Sequence, residues 1–212
     1  MSKLVTFGDS NTLGMALPDI WDHENKVPIF DKGPSKYSWP QVLADKLKIK
    51  CINFGYAAAS NKEVWYNIVN TKFEKDDIVI ILWPQRPRWC TIKENIIERI
   101  GPFVFDKRIS VSQEDVLRSE AYLKYLYDEY DNSVDYFMRV NYITMFLENK
   151  VKILKHYETE KTKMFPSWST TKFSKEGFLE DILYKYPKAH DNEHVGIEGN
   201  RAIANIVYKE IC

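Results

Sequence analysis

The chain has 212 residues, a length that fits one α/β domain over residues 1–212. Its 30 Lys and Arg residues balance its 30 Asp and Glu residues, so no net charge draws the chain to nucleic acid or to an anionic membrane surface. No stretch approaches the roughly 20 apolar residues of a membrane span, and the first apolar run is too short for a secretory signal. We therefore expect a cytoplasmic protein with no nucleic-acid partner and no membrane partner, and the sequence specifies no oligomeric state.

The first predicted element is a buried strand that leads into a turn carrying a serine. Leu4 to Phe7 are apolar, β-branched or aromatic, and Gly8-Asp9-Ser10 follows them directly. Open α/β sheets bind their ligands at the carboxyl ends of strands. Ser10 is therefore placed where a nucleophile would stand, although Gly-Asp-Ser also occurs in ordinary turns, where an Asp such as Asp9 holds the backbone.

Beyond this turn the chain alternates predicted helices and strands. The pattern predicts helices over 38–47, 61–70, 112–130, 134–154 and 197–211, and strands over 49–53, 78–82 and 163–166. The long helical stretch is expected to break near Asp131, Asn132 and Ser133. Such alternation indicates an α/β fold with a mostly parallel sheet covered by helices on both faces.

Two aromatic-rich segments, Pro18 to Trp39 and Gly101 to Ser112, follow neither the helical nor the strand period. Long irregular loops in compact domains often carry function. Their aromatic side chains either anchor the loops to the body of the protein or line a cleft for a sugar ring or an acyl chain. Anchoring is the favoured interpretation.

Asp191 and His194 lie three residues apart, just before the last predicted helix. A serine hydroxyl becomes a good nucleophile at neutral pH when a neighbouring imidazole takes its proton and a carboxylate orients that imidazole. Ser10, Asp191 and His194 therefore form a candidate catalytic triad. A metal site that uses His190 and His194 is the weaker interpretation, because this spacing needs a helix in a segment crowded by Pro and Gly, and we expect no metal.

Both ends of the chain resemble the SGNH/GDSL hydrolase family. Gly8-Asp9-Ser10 is similar to the family's first block, and Asp191 and His194 match the Asp-x-x-His of its last block. The resemblance implies a flavodoxin-like three-layer α/β/α sandwich and hydrolysis of a carboxylic ester through an acyl-enzyme, without a cofactor. In that mechanism Ser10 attacks, His194 takes its proton and Asp191 orients His194.

The middle of the chain departs from the family pattern. The second family block has an Asn followed five positions later by a Gly whose N–H helps to form the oxyanion hole, and here these positions hold Asn53 and Ala58. The third block, Gly-x-Asn-Asp after a buried strand, is replaced by Trp83-Pro84-Gln85-Arg86. Since Gln carries the same carboxamide donor as Asn on a longer arm, Gln85 takes the place of the family's Asn.

The resemblance thus implies an oxyanion hole and a substrate cleft with named candidates. The candidate oxyanion donors are the N–H groups of Ser10 and of either Ala58 or Gly55, and the side chain of Gln85, with Arg86 or Arg88 as the alternative to Gln85. The candidate cleft residues are Asp9, Asn11, Trp83, Arg86 and Arg88.

We expect a serine esterase that acts on a small-molecule or carbohydrate ester, such as a carbohydrate O-acetyl group, because the sequence contains no obvious apolar channel or lid. Two alternatives stay open. An acyltransferase would pass the same acyl group to an alcohol, and a binding or structural protein would keep the fold after its oxyanion residues had drifted.

Overall fold

The computed structural model describes residues 2–94, 96–105, 111–159 and 178–212. The strands in chain order are β1 (Lys3–Gly8), β2 (Trp21–Asp22), β3 (Val27–Pro28), β4 (Lys50–Gly55), β5 (Ile78–Trp83), β6 (Trp89–Lys93), β7 (Ile96–Ile100) and β8 (Ile153–Glu158). The helices are α1 (Ser10–Leu13), α2 (Trp39–Leu47), α3 (Asn61–Val69), α4 (Gln113–Tyr125), α5 (Glu129–Leu147), α6 (Phe178–Lys185) and α7 (Ile197–Ile211). Short 3₁₀ helices cover Pro18–Ile20, Phe30–Lys32 and Pro102–Phe105.

The central sheet contains four strands in the order β4-β1-β5-β8, and all three pairings between neighbours are parallel. Two antiparallel hairpins, β2-β3 and β6-β7, stand outside this sheet. Ser10 follows β1, an inner strand of the sheet, so the serine lies at the carboxyl edge that parallel α/β sheets use for ligands.

Alternate residues of the inner strands pack against helices on opposite faces of the sheet, as the two-residue period of a strand requires. On one face Leu4 and Ile80 pack in a cluster with residues of α2, α6 and α7. On the other face Phe7 and Val79 pack in a cluster with residues of α3 and α5. The predicted α/β fold with a mostly parallel sheet between helical layers is therefore confirmed.

The middle of the chain differs from the prediction in three places. The break between helices falls before Glu129 and not at Asp131 to Ser133, because Asp128 accepts the N–H of Asp131 at 2.9 Å and caps α5 at that point. The helix predicted to reach Leu154 ends at Leu147, and the chain enters β8, which pairs with β5. The β6-β7 hairpin was not predicted, and the strand predicted over 163–166 lies outside the described residues.

In the segment from Pro18 to Trp39, the aromatic side chains of Trp21 and Tyr37 pack, partly buried, against Ala16, Leu17 and Ala189, so these two anchor it as the sequence favoured. Hydrogen bonds also hold the segment internally. Asp19 accepts hydrogen bonds from the Ser35 hydroxyl at 2.5 Å and from the Lys36 N–H at 2.8 Å. Trp39 begins α2 and is 1% exposed.

Within the described ranges, no helix has the length and apolar character that crossing a membrane requires.

Candidate active site

Ser10 is the first residue of α1, a single helical turn that starts directly after β1. Asp9 caps this turn, because its Oδ1 accepts the N–H of Asn11 at 3.0 Å. Gly14 ends the turn in the left-handed region with φ of 79°, a conformation that glycine adopts without strain. The local sequence therefore builds a short, capped turn that holds Ser10 at the edge of the sheet.

The structure brings Ser10, His194 and Asp191 into one hydrogen-bonded series. Nε2 of His194 lies 2.8 Å from Oγ of Ser10, and Nδ1 of His194 lies 2.5 Å from Oδ2 of Asp191. The other carboxylate oxygen of Asp191 accepts the N–H groups of Glu193 and His194, both at 3.0 Å. With Nδ1 donating to the carboxylate, Nε2 is the nitrogen that accepts the serine proton.

The electrostatics of this series keep Asp191 ionised. Burial by itself raises the pKa of Asp191, but the hydrogen bond and the charge of His194, together with the N–H groups of His194 and Glu193, outweigh burial and lower the pKa to about 2. A carboxylate that stays charged is what a histidine base needs to hold its tautomer and to stabilise the imidazolium that forms when it accepts a proton.

The loop that carries the base is tied to the rest of the fold on both sides. Ala189 donates its N–H to the carbonyl of His194 at 2.8 Å, and His190 donates its N–H to the carbonyl of Ala16 at 3.2 Å. Asn200 in α7 donates to the carbonyl of Val195 at 2.9 Å and accepts the N–H of Trp39 at 2.8 Å. Asn200 was not predicted as a positioning residue, although the sequence places it just after the Asp-x-x-His block.

The predicted backbone donors of the oxyanion hole differ in whether their N–H group already has an acceptor. The N–H groups of Ser10 and Ala58 meet no hydrogen-bond acceptor among the residues that the structure describes. Gly55 is a correction: its N–H already donates to Oδ1 of Asn53 at 2.8 Å, so it is not available to an oxyanion. Gly55 has a packing role, because a Cβ there would lie 2.3 Å from the backbone nitrogen of Leu13.

Gln85 is exposed and its side-chain amide is oriented by an arginine. Its Oε1 accepts from Nη2 of Arg88 at 3.2 Å, so the amide nitrogen is the end left to donate. Nη1 of the same arginine donates to Oδ2 of Asp9 at 2.8 Å. Arg88 therefore links the candidate oxyanion residue to the turn that carries Ser10.

Among the predicted cleft residues, Trp83 and Asp9 are corrections. Trp83 is 1% exposed, packs in the core, and donates its ring N–H to Nδ1 of His156 at 3.1 Å. Asp9 is also 1% exposed, and both of its oxygens accept hydrogen bonds. The two-residue period of β5 places the side chain of Trp83 in the core. The carboxylate oxygens of Asp9 are occupied by the N–H of Asn11 and by Arg88, so neither side chain is available to contact a substrate. Asn11, Arg86 and Arg88 are partly exposed.

Asn53 is a positioning residue that the sequence pattern flagged only through the family resemblance. Its Nδ2 donates to the carbonyl of Thr12 at 2.8 Å while its Oδ1 accepts from Gly55. The side chain therefore ties the turn of Ser10 to the end of β4.

No family model matches this chain, and no curated protein matches it in sequence. Solved structures do match over almost the whole chain. A G-D-S-L family lipolytic protein from Veillonella parvula is 12% identical, with 100% of this chain and 98% of that one covered and a TM-score of 0.51. A hydrolase from a Lake Arreo metagenome is 16% identical, with coverage of 98% and 94% and a TM-score of 0.53. An acetylxylan esterase from Geobacillus stearothermophilus is 13% identical, with coverage of 99% and 93% and a TM-score of 0.50. The chain thus has the SGNH/GDSL hydrolase fold.

Proposed function

We propose that this protein is a serine esterase of the SGNH/GDSL type. The observation that carries the proposal is the contact of Ser10 with His194, two residues 184 positions apart, while His194 also bonds Asp191. Each group has the atom that its role needs: a hydroxyl, a nitrogen acceptor and an ionised carboxylate.

In the proposed mechanism, Nε2 of His194 takes the proton of Ser10 as Oγ attacks the ester carbonyl. The imidazolium then gives that proton to the leaving alcohol, and an acyl-enzyme on Ser10 remains. Water attacks this acyl group with His194 again as the base, and the carboxylic acid leaves. Asp191 stays a carboxylate throughout and stabilises the imidazolium.

The oxyanion that forms during attack is assigned to three donors: the N–H groups of Ser10 and Ala58 and the amide of Gln85. Preorganised donors of this kind typically contribute about 2.7–4 kcal/mol each to transition-state stabilisation. Gln85 suits the role because Arg88 bonds its oxygen and leaves its NH₂ group to donate.

A small ester such as a carbohydrate O-acetyl group is the substrate that we favour. Trp21 and the exposed His190 stack with ring centroids 5.9 Å apart, next in sequence to Asp191, and aromatic faces suit a sugar ring. An esterase that acts on acetylxylan is among the proteins of similar fold.

Labelling with a fluorophosphonate probe tests the proposal, because the probe reacts only with an activated serine. We expect Ser10 to be labelled, and we expect hydrolysis of p-nitrophenyl acetate to fall by about three orders of magnitude or more in Ser10→Ala and His194→Ala. Ser2→Ala, which removes a serine hydroxyl outside the site, is the matched control. Folded wild-type protein that is not labelled at Ser10 would exclude the esterase, and acyl transfer to an added alcohol in preference to water would identify an acyltransferase instead.

A further inference from the structure

A small hollow lies between the start of α3 and the segment that joins β5 to β6. Its lining includes Asn61, Lys62, Arg86, Arg88 and Asp135. It adjoins the candidate active site, because Arg88 bonds both Asp9 and Gln85, and Asn61 follows Ala58 by three residues.

The charges around this hollow are not balanced. Arg88 is neutralised by Asp9, with 2.8 Å between Nη1 and Oδ2. The carboxylate of Asp135 is already held by Nε and Nη2 of Arg139, at 2.8 and 2.7 Å. Lys62 and Arg86 form no ion pair with any residue that the structure describes. Within the described part of the chain, the lining therefore presents two positive charges, those of Lys62 and Arg86, without an ion-pair partner.

Each of these two cations is held in place by a neighbour. The ammonium of Lys62 lies 4.7 Å from the ring centroid of Trp89, and Nη1 of Arg86 donates to Oγ of Ser133 at 3.2 Å. On its other side Arg86 borders a second hollow, which is lined by Glu158. That carboxylate accepts the hydroxyl of Tyr136 at 2.9 Å and lies beyond ion-pair distance of Arg86.

An independent observation comes from Asn61. Its side chain is 7% exposed, and its buried Oδ1 has no hydrogen-bond partner among the described residues. Leaving a buried amide atom without a partner is costly, and the unpartnered atom as placed is an acceptor. Because the oxygen and nitrogen of an Asn amide exchange by a simple flip, Asn61 can offer its NH₂ group to an anion. It also begins α3, where backbone N–H groups favour negative charge.

We propose that this hollow is an anion subsite that binds a carboxylate or phosphate group of the substrate through Arg86, Lys62 and Asn61. The assignment of its occupant as part of an ester substrate rests on the proposed function. The proposal narrows the substrate class to esters that carry an anionic group near the reacting carbonyl.

Anion binding is tested first without catalysis, in the Ser10→Ala protein. We expect succinate or inorganic phosphate to raise the melting temperature saturably, compared with sodium chloride at equal ionic strength. Arg86→Gln and Lys62→Gln should each weaken that binding about tenfold. Arg201→Gln and Lys93→Gln remove the same charges from exposed positions elsewhere and should not weaken it. An equal effect of chloride, or unchanged binding in both subsite variants, would overturn the subsite.

The second test compares anionic esters with neutral ones in the active enzyme. The first pair, 4-acetoxybenzoate and 4-acetoxybenzamide, places the charge on the leaving group. The second pair, mono-4-nitrophenyl glutarate and 4-nitrophenyl valerate, places it on the acyl group. In at least one pair we expect the ratio of kcat/KM for the anionic over the neutral ester to fall about tenfold in Arg86→Gln and to persist in Arg201→Gln. A ratio that Arg86→Gln leaves unchanged in both pairs would exclude the subsite. Anion binding without any ester hydrolysis would instead contradict the proposed function.

Discussion

Ala58 has a backbone φ of 57°, in the left-handed region where a Cβ clashes with its own backbone. Ala58 is the residue that the sequence resemblance aligns with a glycine of the SGNH/GDSL pattern. The N–H of Ala58 has no acceptor among the described residues, which is the state that an oxyanion donor requires. The backbone of Ala58 is therefore strained at a position with a proposed role in catalysis.

Replacement of Ala58 by Gly tests this strain. We expect Ala58→Gly to raise the free energy of unfolding by about 0.5–1 kcal/mol, since the relief of left-handed strain exceeds the entropy that glycine adds to the unfolded chain. Ester hydrolysis should stay within a few-fold of wild type because the N–H is retained. Denaturant unfolding and p-nitrophenyl acetate assays measure both quantities.

The neighbouring Ala59 supplies the control for that experiment. It is 1% exposed and does not have a positive φ, so Ala59→Gly should lower the free energy of unfolding. If both glycine variants destabilise the protein equally, the strain attributed to Ala58 is wrong.

At the scale of elements, the contact between α1 and β4 decides where Ser10 lies. Asn53 bridges the two elements by its hydrogen bonds to Thr12 and Gly55. Gly55 allows the close approach, because a Cβ there would meet the backbone of Leu13 at 2.3 Å and of Thr12 at 2.7 Å. The position of the candidate nucleophile thus depends on a glycine in the adjacent strand.

Gly55→Ala should push α1 away from β4. We expect a loss of about 1–3 kcal/mol in the free energy of unfolding, as in other overpacked sites, and slower labelling of Ser10 by a fluorophosphonate. Gly33→Ala is the control for labelling: its φ of 72° makes an alanine there strained, but the added Cβ would have no atom within 4 Å, so it should leave the labelling of Ser10 unchanged. Unchanged labelling in folded Gly55→Ala would argue against this account of how Ser10 is positioned.

The elements nearest to the candidate triad could be predicted from the sequence, and those in the middle of the chain could not. Around Ser10 the apolar run and the capping Asp act locally, so the pattern of neighbouring residues is sufficient. The strand β8 contains Lys155 and His156, which obscure its apolar pattern, and its hydrogen bonds come from β5, more than 70 residues earlier. Its assignment therefore needed the tertiary pairing.

At the scale of the whole molecule, a buried histidine makes stability depend on pH. His156 is 5% exposed, and burial lowers its pKa to about 4 from 6.5. The ring N–H of Trp83 can only donate, so Nδ1 of His156 accepts it and the neutral ring carries its proton on Nε2, 3.2 Å from the hydroxyl of Thr144. The folded state thus favours the neutral form of this histidine.

Because the unfolded chain binds this proton more readily, the stabilisation is complete above pH 6.5 and is lost as the pH falls towards 4. We expect the free energy of unfolding to fall by about 3 kcal/mol over that interval. His156→Gln, which keeps one acceptor and one donor, should flatten this dependence, and His23→Gln replaces an exposed histidine as the control. An equally steep dependence in His156→Gln would refute the assignment.

The lowered pKa of Asp191 also makes the free energy of unfolding fall as the pH falls, but in a lower pH range. Its contribution to stability is present above pH 3.8 and is lost as the pH falls through about 2.

The sequence alone identified Ser10, Asp191 and His194 as the candidate triad, because their chemistry and the local pattern around each are readable without knowledge of contacts. It also predicted a parallel α/β sheet, since hydrophobic periodicity reflects burial. Only the tertiary structure excluded Gly55, Trp83 and Asp9, and among the described residues it revealed an amide oxygen of Asn61 without a partner beside two cations without an ion pair. Availability of a donor, exposure of a side chain and balance of charge all depend on neighbours distant in sequence, and folding alone brings those neighbours together.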